Sequence, residues 1–185
     1  MDIVKINQTK SPYFTVFTPT FNRAHTLQGV YESLAMQTFK DFEWLIVDDG
    51  SKDNTENLVS EWKKEASFVI RYYYQTNQGK HIASNRGVKE AQGELFLFLD
   101  SDDRCVPKTL EIFKKYWDKI PELEKDTYCT VNVLCIDPDG NIVGPEYPLN
   151  ELDVDSVWGQ IKLRSEYERW GVIRTCVLKC FPFPE

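Results

Sequence analysis

Residues 94–107 read E-L-F-L-F-L-D-S-D-D-R-C-V-P, and the reading of this stretch decides the fold. The apolar run from Leu95 to Leu99 is too short for a helix and rich in Phe and Leu, so it reads as a strand buried on both faces. It stops at Asp100, Asp102 and Asp103, and clustered carboxylates at the mouth of a buried strand repel one another unless a cation neutralises them. Ligands of open parallel sheets bind beyond the carboxyl ends of the strands, where such a cluster would fall. Taken alone, the cluster also fits a solvated acidic turn.

Upstream, strands and helices alternate. Tyr13 to Thr18, Y-F-T-V-F-T, reads as a first strand ended by Pro19. Leu27, Val30, Tyr31, Leu34 and Ala35 then recur at helical spacing between His25 and Gln37. F-E-W-L-I-V after Asp41 is a second strand, closed by Asp48-Asp49-Gly50-Ser51 with a turn at Gly50; Asp53 or Asn54 can cap the helix that follows to about Ala66. Phe68 to Gln75 is a third strand. A helix from Lys80 to Gln92 buries Ile82, Ala83, Val88 and Ala91, and Gly93 closes it in a left-handed conformation. The acidic strand is the fourth. This alternation predicts an α/β fold with a Rossmann-like, mostly parallel central sheet flanked by helices.

Downstream the pattern changes. A helix from Pro107 to Trp117 leads to the alternating strand Tyr128 to Ile136, and Asp137-Pro-Asp-Gly140 is a hairpin turn into Asn141-Ile-Val. Gly171 to Leu178 reads as one more strand, so the second half is expected to be mixed or antiparallel. Leu149 to Arg169 is acidic and weakly periodic, and residues 1–11 read as a loose leader.

The 185 residues, 42% apolar and 14% aromatic, suffice for one well-buried domain. A net charge of -7 argues against nucleic acid or an anionic membrane as a general partner, because no basic excess is present to release counterions. No apolar run approaches the ~20 residues that span a bilayer, and the amino terminus lacks the layout of a secretory signal. The cytoplasm is the expected location, with peripheral association at the inner face of the membrane left open. Five cysteines with no C-x-x-C pair suggest small buried hydrophobes rather than a zinc ribbon or a disulfide framework.

Two acidic motifs close what the alternation suggests are adjacent strands: Asp48-Asp49 and Asp100-Ser101-Asp102. One or two carboxylates on a hard divalent cation, with open positions for water and phosphate oxygens, is the usual arrangement at a diphosphate; other carboxylates accept from a ribose hydroxyl or an imide N–H. Together these fit a nucleotide. Asp48-Asp49 alone also fits a helix-capping turn. Lys80, in Asn77-Gln78-Gly79-Lys80-His81, can reach a diphosphate from a helix start, or stand solvated on a turn.

P-T-F-N-R from Pro19, L-A-M-Q-T-F-K-D-F-E-W-L-I-V-D-D-G-S-K-D-N-T from Leu34, N-Q-G-K-H-I-A-S-N-R-G-V from Asn77 and A-Q-G-E-L-F-L-F-L-D-S-D-D from Ala91 closely resemble the family 2 glycosyltransferases of GT-A fold, in order and spacing over about residues 13–118. The resemblance implies that Pro19, Thr20 and Arg23 line a nucleotide pocket and that Asp49 bonds the base, with Asp48 beside it. Lys80 would lie near base or diphosphate. Asp100-Ser101-Asp102 is the D-x-D equivalent: Asp100 and Ser101 on the nucleotide, Asp102 on a magnesium or manganese ion. A UDP-sugar is the expected donor, a saccharide or lipid-linked molecule of cell-surface polysaccharide assembly the expected acceptor, and a single displacement with inversion the expected reaction. Residues 1–118 would be the nucleotide-sugar half and 119–185 the start of the acceptor half.

In the family the catalytic base follows a tail resembling W-G-V-I-R-T-C-V-L-K-C-F-P-F-P-E, so it is expected beyond Glu185. Asp153, Asp155, Glu166 and Glu168 are the nearby acids, in no convincing motif. The alternative is a nucleotide-sugar-binding fragment or pseudoenzyme without transfer. A haloacid-dehalogenase-type phosphatase is disfavoured because the D-x-D lies after the fourth strand, and a dinucleotide-binding domain because no G-x-G-x-x-G follows Tyr13 to Thr18.

Overall fold

The computed structural model describes residues 11–144, 151–154 and 169–184, with only the backbone of Arg169. Its elements are β1 (Phe14–Thr20), α1 (Ala24–Ala35), β2 (Phe42–Asp48), α2 (Thr55–Glu65), β3 (Val69–Tyr74), α3 (Lys80–Glu90), β4 (Leu95–Phe98), α4 (Thr109–Lys119), β5 (Thr130–Leu134), β6 (Arg169–Arg174) and α5 (Thr175–Cys180). The sheet order is β3-β2-β1-β4-β6-β5. The first four strands are parallel, and β6 runs antiparallel to both β4 and β5. The mixed second half is therefore as expected.

β1 and β2 are buried at every position because both faces are covered. On one face Phe14, Val16, Trp44 and Ile46 meet Leu27, Val30 and Leu34 of α1, Val59 and Trp62 of α2, and Phe113 and Trp117 of α4. On the other, Phe17, Leu45, Val47 and Phe96 meet Ala83 and Val88 of α3, with Leu178 of α5 at the margin. Successive strand residues point to opposite faces, so the apolar runs supply both cores at once.

β1 lies between β2 and β4, so the two acid-tipped strands are not adjacent. The chain builds β1, β2 and β3 in one direction and returns to place β4 on the other flank of β1. This reversal opens the crevice where such sheets bind ligands. β1 also runs through Pro19 to Thr20 rather than ending at Pro19. The Leu99 amide donates to the Phe17 carbonyl and the Asp49 amide to the Thr20 carbonyl, so odd residues of β1 address β4 and even ones β2. Pro19 faces the side where β4 has stopped pairing, and its missing N–H costs no ladder bond.

Gly50 is left-handed as expected, with φ 91°. Gly93 is not: a Cβ there would come within 2.3 Å of the Thr15 amide nitrogen, so its role is close passage against β1. Ile82 is only half-buried; Ala83, Gly87 and Val88 carry the inner face of α3. The last expected strand divides into β6 and α5 at Thr175, whose amide donates to the Glu94 carbonyl, in register with the β4–β6 ladder, and whose hydroxyl donates to the Gly93 carbonyl. The hairpin turn forms at Asp137, whose Oδ1 accepts the Asp139 and Asn141 amides, and Ile136 bridges Ile142. Of the five cysteines only Cys105 is fully buried, where loss of solvent pushes its thiol up to about 12; Cys129, Cys176 and Cys180 are exposed, against expectation. The leader, most of Leu149 to Arg169, and with them Asp155, Glu166 and Glu168, lie outside the described residues.

Candidate functional site

Parallel pairing brings the carboxyl ends of β2, β1 and β4 to one edge, and with them every residue expected at the nucleotide or the metal. Pro19 and Thr20 end β1, and Arg23 precedes α1. Asp48 ends β2 and Asp49 follows it, Lys80 opens α3, and Asp100, Ser101 and Asp102 follow β4. The loops after β1 and β2 are knitted together. The Asn22 amide donates to Ser51 Oγ, the Lys52 amide to Asn22 Oδ1, and the Ala24 amide to Asp53 Oδ2.

The acidic pair after β2 is turned inward. Asp48, 1% exposed, accepts the Ser51 amide on Oδ1 and the Tyr72 phenol on Oδ2, both at 2.7 Å. Burial and then the Asp48 carboxylate push the Tyr72 phenol far above its ordinary range, so it remains a donor. Asp49, 4% exposed, takes the Gln75 side-chain amide and the Gln78 N–H on Oδ1 and the Gly79 N–H at 2.7 Å on Oδ2. It thus caps the start of α3, where the helix dipole favours a carboxylate, and fixes the backbone next to Lys80.

Lys80 Nζ donates to Asp100 Oδ2 at 2.8 Å, and Arg23 Nη1 lies 3.9 Å from Asp102 Oδ2. Here the side chains are open: 40% exposed for Asp100 and 54% for Asp102. The acidic loop is anchored from below by buried Gln37, which donates to the Val106 carbonyl and accepts the Leu110 amide. Thr20 Oγ1, at the carboxyl end of β1, is, among the described residues, a buried side-chain oxygen without a hydrogen-bond partner.

Among the described residues no three His, Cys, Asp or Glu side chains converge on a ready-made metal cage. A hard divalent ion that needs only one or two carboxylate oxygens from the protein would fit Asp102 and its neighbours. Asp153, the described member of the acids considered for a base, pairs with Tyr128 just ahead of β5, at the opposite edge of the sheet.

Beside the acids opens a cleft of about 500 Å³. Lys80, His81 and Ser84 of α3 form one wall, with Asp100 and Asp103 at the mouth; Phe98, Trp170 and Phe183 are the apolar lining. Neither Trp170 nor Phe183 was singled out by sequence reasoning. The aromatic-rich tail was visible, but its return to the cleft depends on β6 pairing with β4.

Residues 15–170 match the family described as "Glycosyl transferase family 2". The chain is 37% identical over 101 residues, 54% of its length, to a Campylobacter jejuni GalNAc(5)-diNAcBac-PP-undecaprenol beta-1,3-glucosyltransferase, covering 32% of that protein. It is 30% identical over 161 residues, 87% of its length, to a PGL/p-HBAD biosynthesis glycosyltransferase of Mycobacterium bovis, covering 51% of it. The solved structure of S. aureus TarS 1-349 in complex with UDP-GlcNAc superposes with a TM-score of 0.72 at 26% identity, over 92% of this chain and 48% of that one. The chain spans about half or less of the length of these relatives.

Proposed function

The chain belongs to glycosyl transferase family 2, and from that premise we propose that it is the donor-binding part of an inverting, divalent-metal-dependent glycosyltransferase acting on a UDP-sugar. The acceptor would be a saccharide or lipid-linked molecule of cell-surface polysaccharide assembly. A protein without a membrane-crossing helix among its described residues could work on such an acceptor from the inner membrane face. The names of the Campylobacter and S. aureus relatives, one acting on an undecaprenol-linked glycan and one bound to UDP-GlcNAc, support this choice of substrates.

The observation that carries the reading is the span from Asp49 through Gly79 and Lys80 to Asp100, which crosses the end of β1. A base beside Asp49, a ribose at Asp100 and a diphosphate between Lys80, Arg23 and Asp102 would lie along one edge in that order. Pro19, Thr20 and Ser101 would floor the pocket. Lys80 and Arg23 would shift from carboxylate to phosphate oxygens as the nucleotide enters. A magnesium or manganese ion on Asp102 would supply Lewis-acid stabilisation of the departing diphosphate. Residues 1–118 form the nucleotide half of a single GT-A domain in this reading, and 119–185 begin the acceptor half.

Calorimetry with UDP plus manganese tests it. Binding is expected for the parent, and Asp102→Ala should lose at least about tenfold in affinity with manganese present. Parent-like affinity in Asp102→Ala would remove Asp102 as a ligand. Transfer or donor hydrolysis by the protein would separate an enzyme from a nucleotide-sugar-binding module.

A further inference from the structure

We propose that Arg104, seated on Gly29 of α1, is the positioning residue that sets where Asp102 stands. This role rests on the nucleotide and metal reading above and adds how the fold holds that carboxylate. Gly29 lies off the apolar stripe of Leu27, Val30 and Leu34, yet it is buried. Arg104 lies over it: a Cβ on Gly29 would come within 2.5 Å of Arg104 Nε, 2.7 Å of Nη2 and 2.9 Å of Cζ. Three atoms of the planar guanidinium thus crowd the point that any other side chain would occupy. A glycine inside a helix lowers helix propensity, and here the missing Cβ is what makes room for the arginine.

The contact is one of three that tie the acidic loop to α1. Just ahead of the helix Arg23 faces Asp102 at 3.9 Å. Further along, Gly29 carries Arg104, and past the helix end Gln37 holds the Val106 carbonyl at 2.9 Å and the Leu110 amide at 3.2 Å. Residues 102, 104 and 106 therefore descend along α1 in order, beside 23, 29 and 37. At its other end the loop is secured by the Leu99 amide on the Phe17 carbonyl, and the Asp103 amide closes a turn onto the Asp100 carbonyl. Asp102 stands between these anchors with its side chain 54% exposed, and Arg104 is two residues from it, one closer than buried Cys105. A carboxylate that meets a cation must be held to within about half an ångström by residues that are themselves locked. Cys105 and Gln37 anchor the loop without Arg104, so loss of the seat moves Asp102 and does not unfold the chain. If Arg104 acted by its charge alone, its removal would instead tighten cation binding.

Calorimetry of UDP on the whole protein, once with manganese and once with EDTA, tests this through the ratio of the two affinities, the manganese increment. Arg104→Ala and Gly29→Ala should each cut the increment about three- to tenfold and leave the EDTA affinity within about twofold of the parent. Gly29→Ala keeps the arginine and only fills its seat. Its urea midpoint should therefore hold or rise as helix propensity improves, while the increment falls; a fold defect would lower both. The double variant should be no worse than the more impaired single one, as for two halves of one contact. Arg104→Lys keeps the charge without the planar fork and should stay nearer to Arg104→Ala than to the parent. A parent-like or larger increment in Arg104→Ala or Gly29→Ala overturns the proposal, as does full recovery in Arg104→Lys. Losses that multiply in the double variant, or an EDTA affinity that falls as far as the manganese one, overturn it too. A parent that binds UDP without responding to manganese removes the metal reading first, and one that binds no UDP removes the nucleotide reading; either takes the role of Arg104 with it.

Discussion

The sheet carries a charged cluster at each end, and they differ in saturation. At the amino edge Glu43, 1% exposed, accepts Thr15 Oγ1 and the Gln92 amide on Oε1 and Arg71 on Oε2. Arg71 in turn bonds the Glu90 carbonyl and the Tyr73 phenol. Against the desolvation that would lower it, the bonds from Glu43 and Tyr73 hold the Arg71 guanidinium above its ordinary range. At the carboxyl edge Asp100, Asp102, Lys80 and Arg23 stand about half-exposed, joined by one short bond and one loose pair. Both clusters are ionic, yet the first is buried among its partners and these four side chains stand open to solvent. Asp48 and Asp49 at the carboxyl end are as buried as Glu43, so the contrast lies with Asp100, Asp102, Lys80 and Arg23, whose charges stay available.

The largest expected effect breaks the sealed end. Glu43→Ala removes the buried acceptor shared by Thr15, the Gln92 amide and Arg71 and should cost about 3–5 kcal/mol, read from the urea midpoint. A loss below about 1 kcal/mol would mean that the two ends are not different in kind. Tyr72→Phe, which removes the donor to buried Asp48 next to the open end, should cost about 1–3 kcal/mol. Asp49→Ala should weaken UDP binding while the response to manganese persists, and should loosen the start of α3 through loss of the Gln78 and Gly79 bonds; unchanged UDP affinity would count against Asp49 at the base.

The open end should show the opposite balance. Asp102→Ala is expected to change stability, read from the urea midpoint, by no more than roughly 0.5 kcal/mol, because its pairing is solvent-screened, while the calorimetric affinity collapses. Smallest of all is an acid effect at Asp53, which ties the two pocket loops. Desolvation would raise this carboxyl, but bonds from Thr55 and the Ala24 amide hold it below its ordinary value of 3.8. A depressed folded value means stability present above the unfolded value and lost as pH falls through the folded one. The Asp53→Asn difference in midpoint should therefore shrink on acidification below about pH 4, from only a few tenths of a kcal/mol.

Much of this was legible beforehand because it is local. Apolar runs between turn residues located β1 to β4, and the helical spacing of Leu27, Val30 and Leu34 located the inner face of α1. The acids were legible as a site because such clustering after an apolar strand has few structural uses. Gly93 was misread because a helix-closing glycine and a glycine under a passing strand look alike until Thr15 is placed beside it. Trp170 and Phe183 went unseen for a related reason. Phe183 bonds Asn85 of α3 from 98 residues away, and only the β4–β6 pairing brings that tail back to α3.

What the sequence by itself determined is the alternation of elements and the chemistry at the end of each strand, since burial period and turn propensity act over a few residues. What only the tertiary structure decided is the order of strands, with β1 between the two acidic ends, and hence the spacing between Asp49 and Asp102 and the aromatic wall beyond. Strand order follows from which faces pack together over long loops, a choice made by the whole core and not by any one segment.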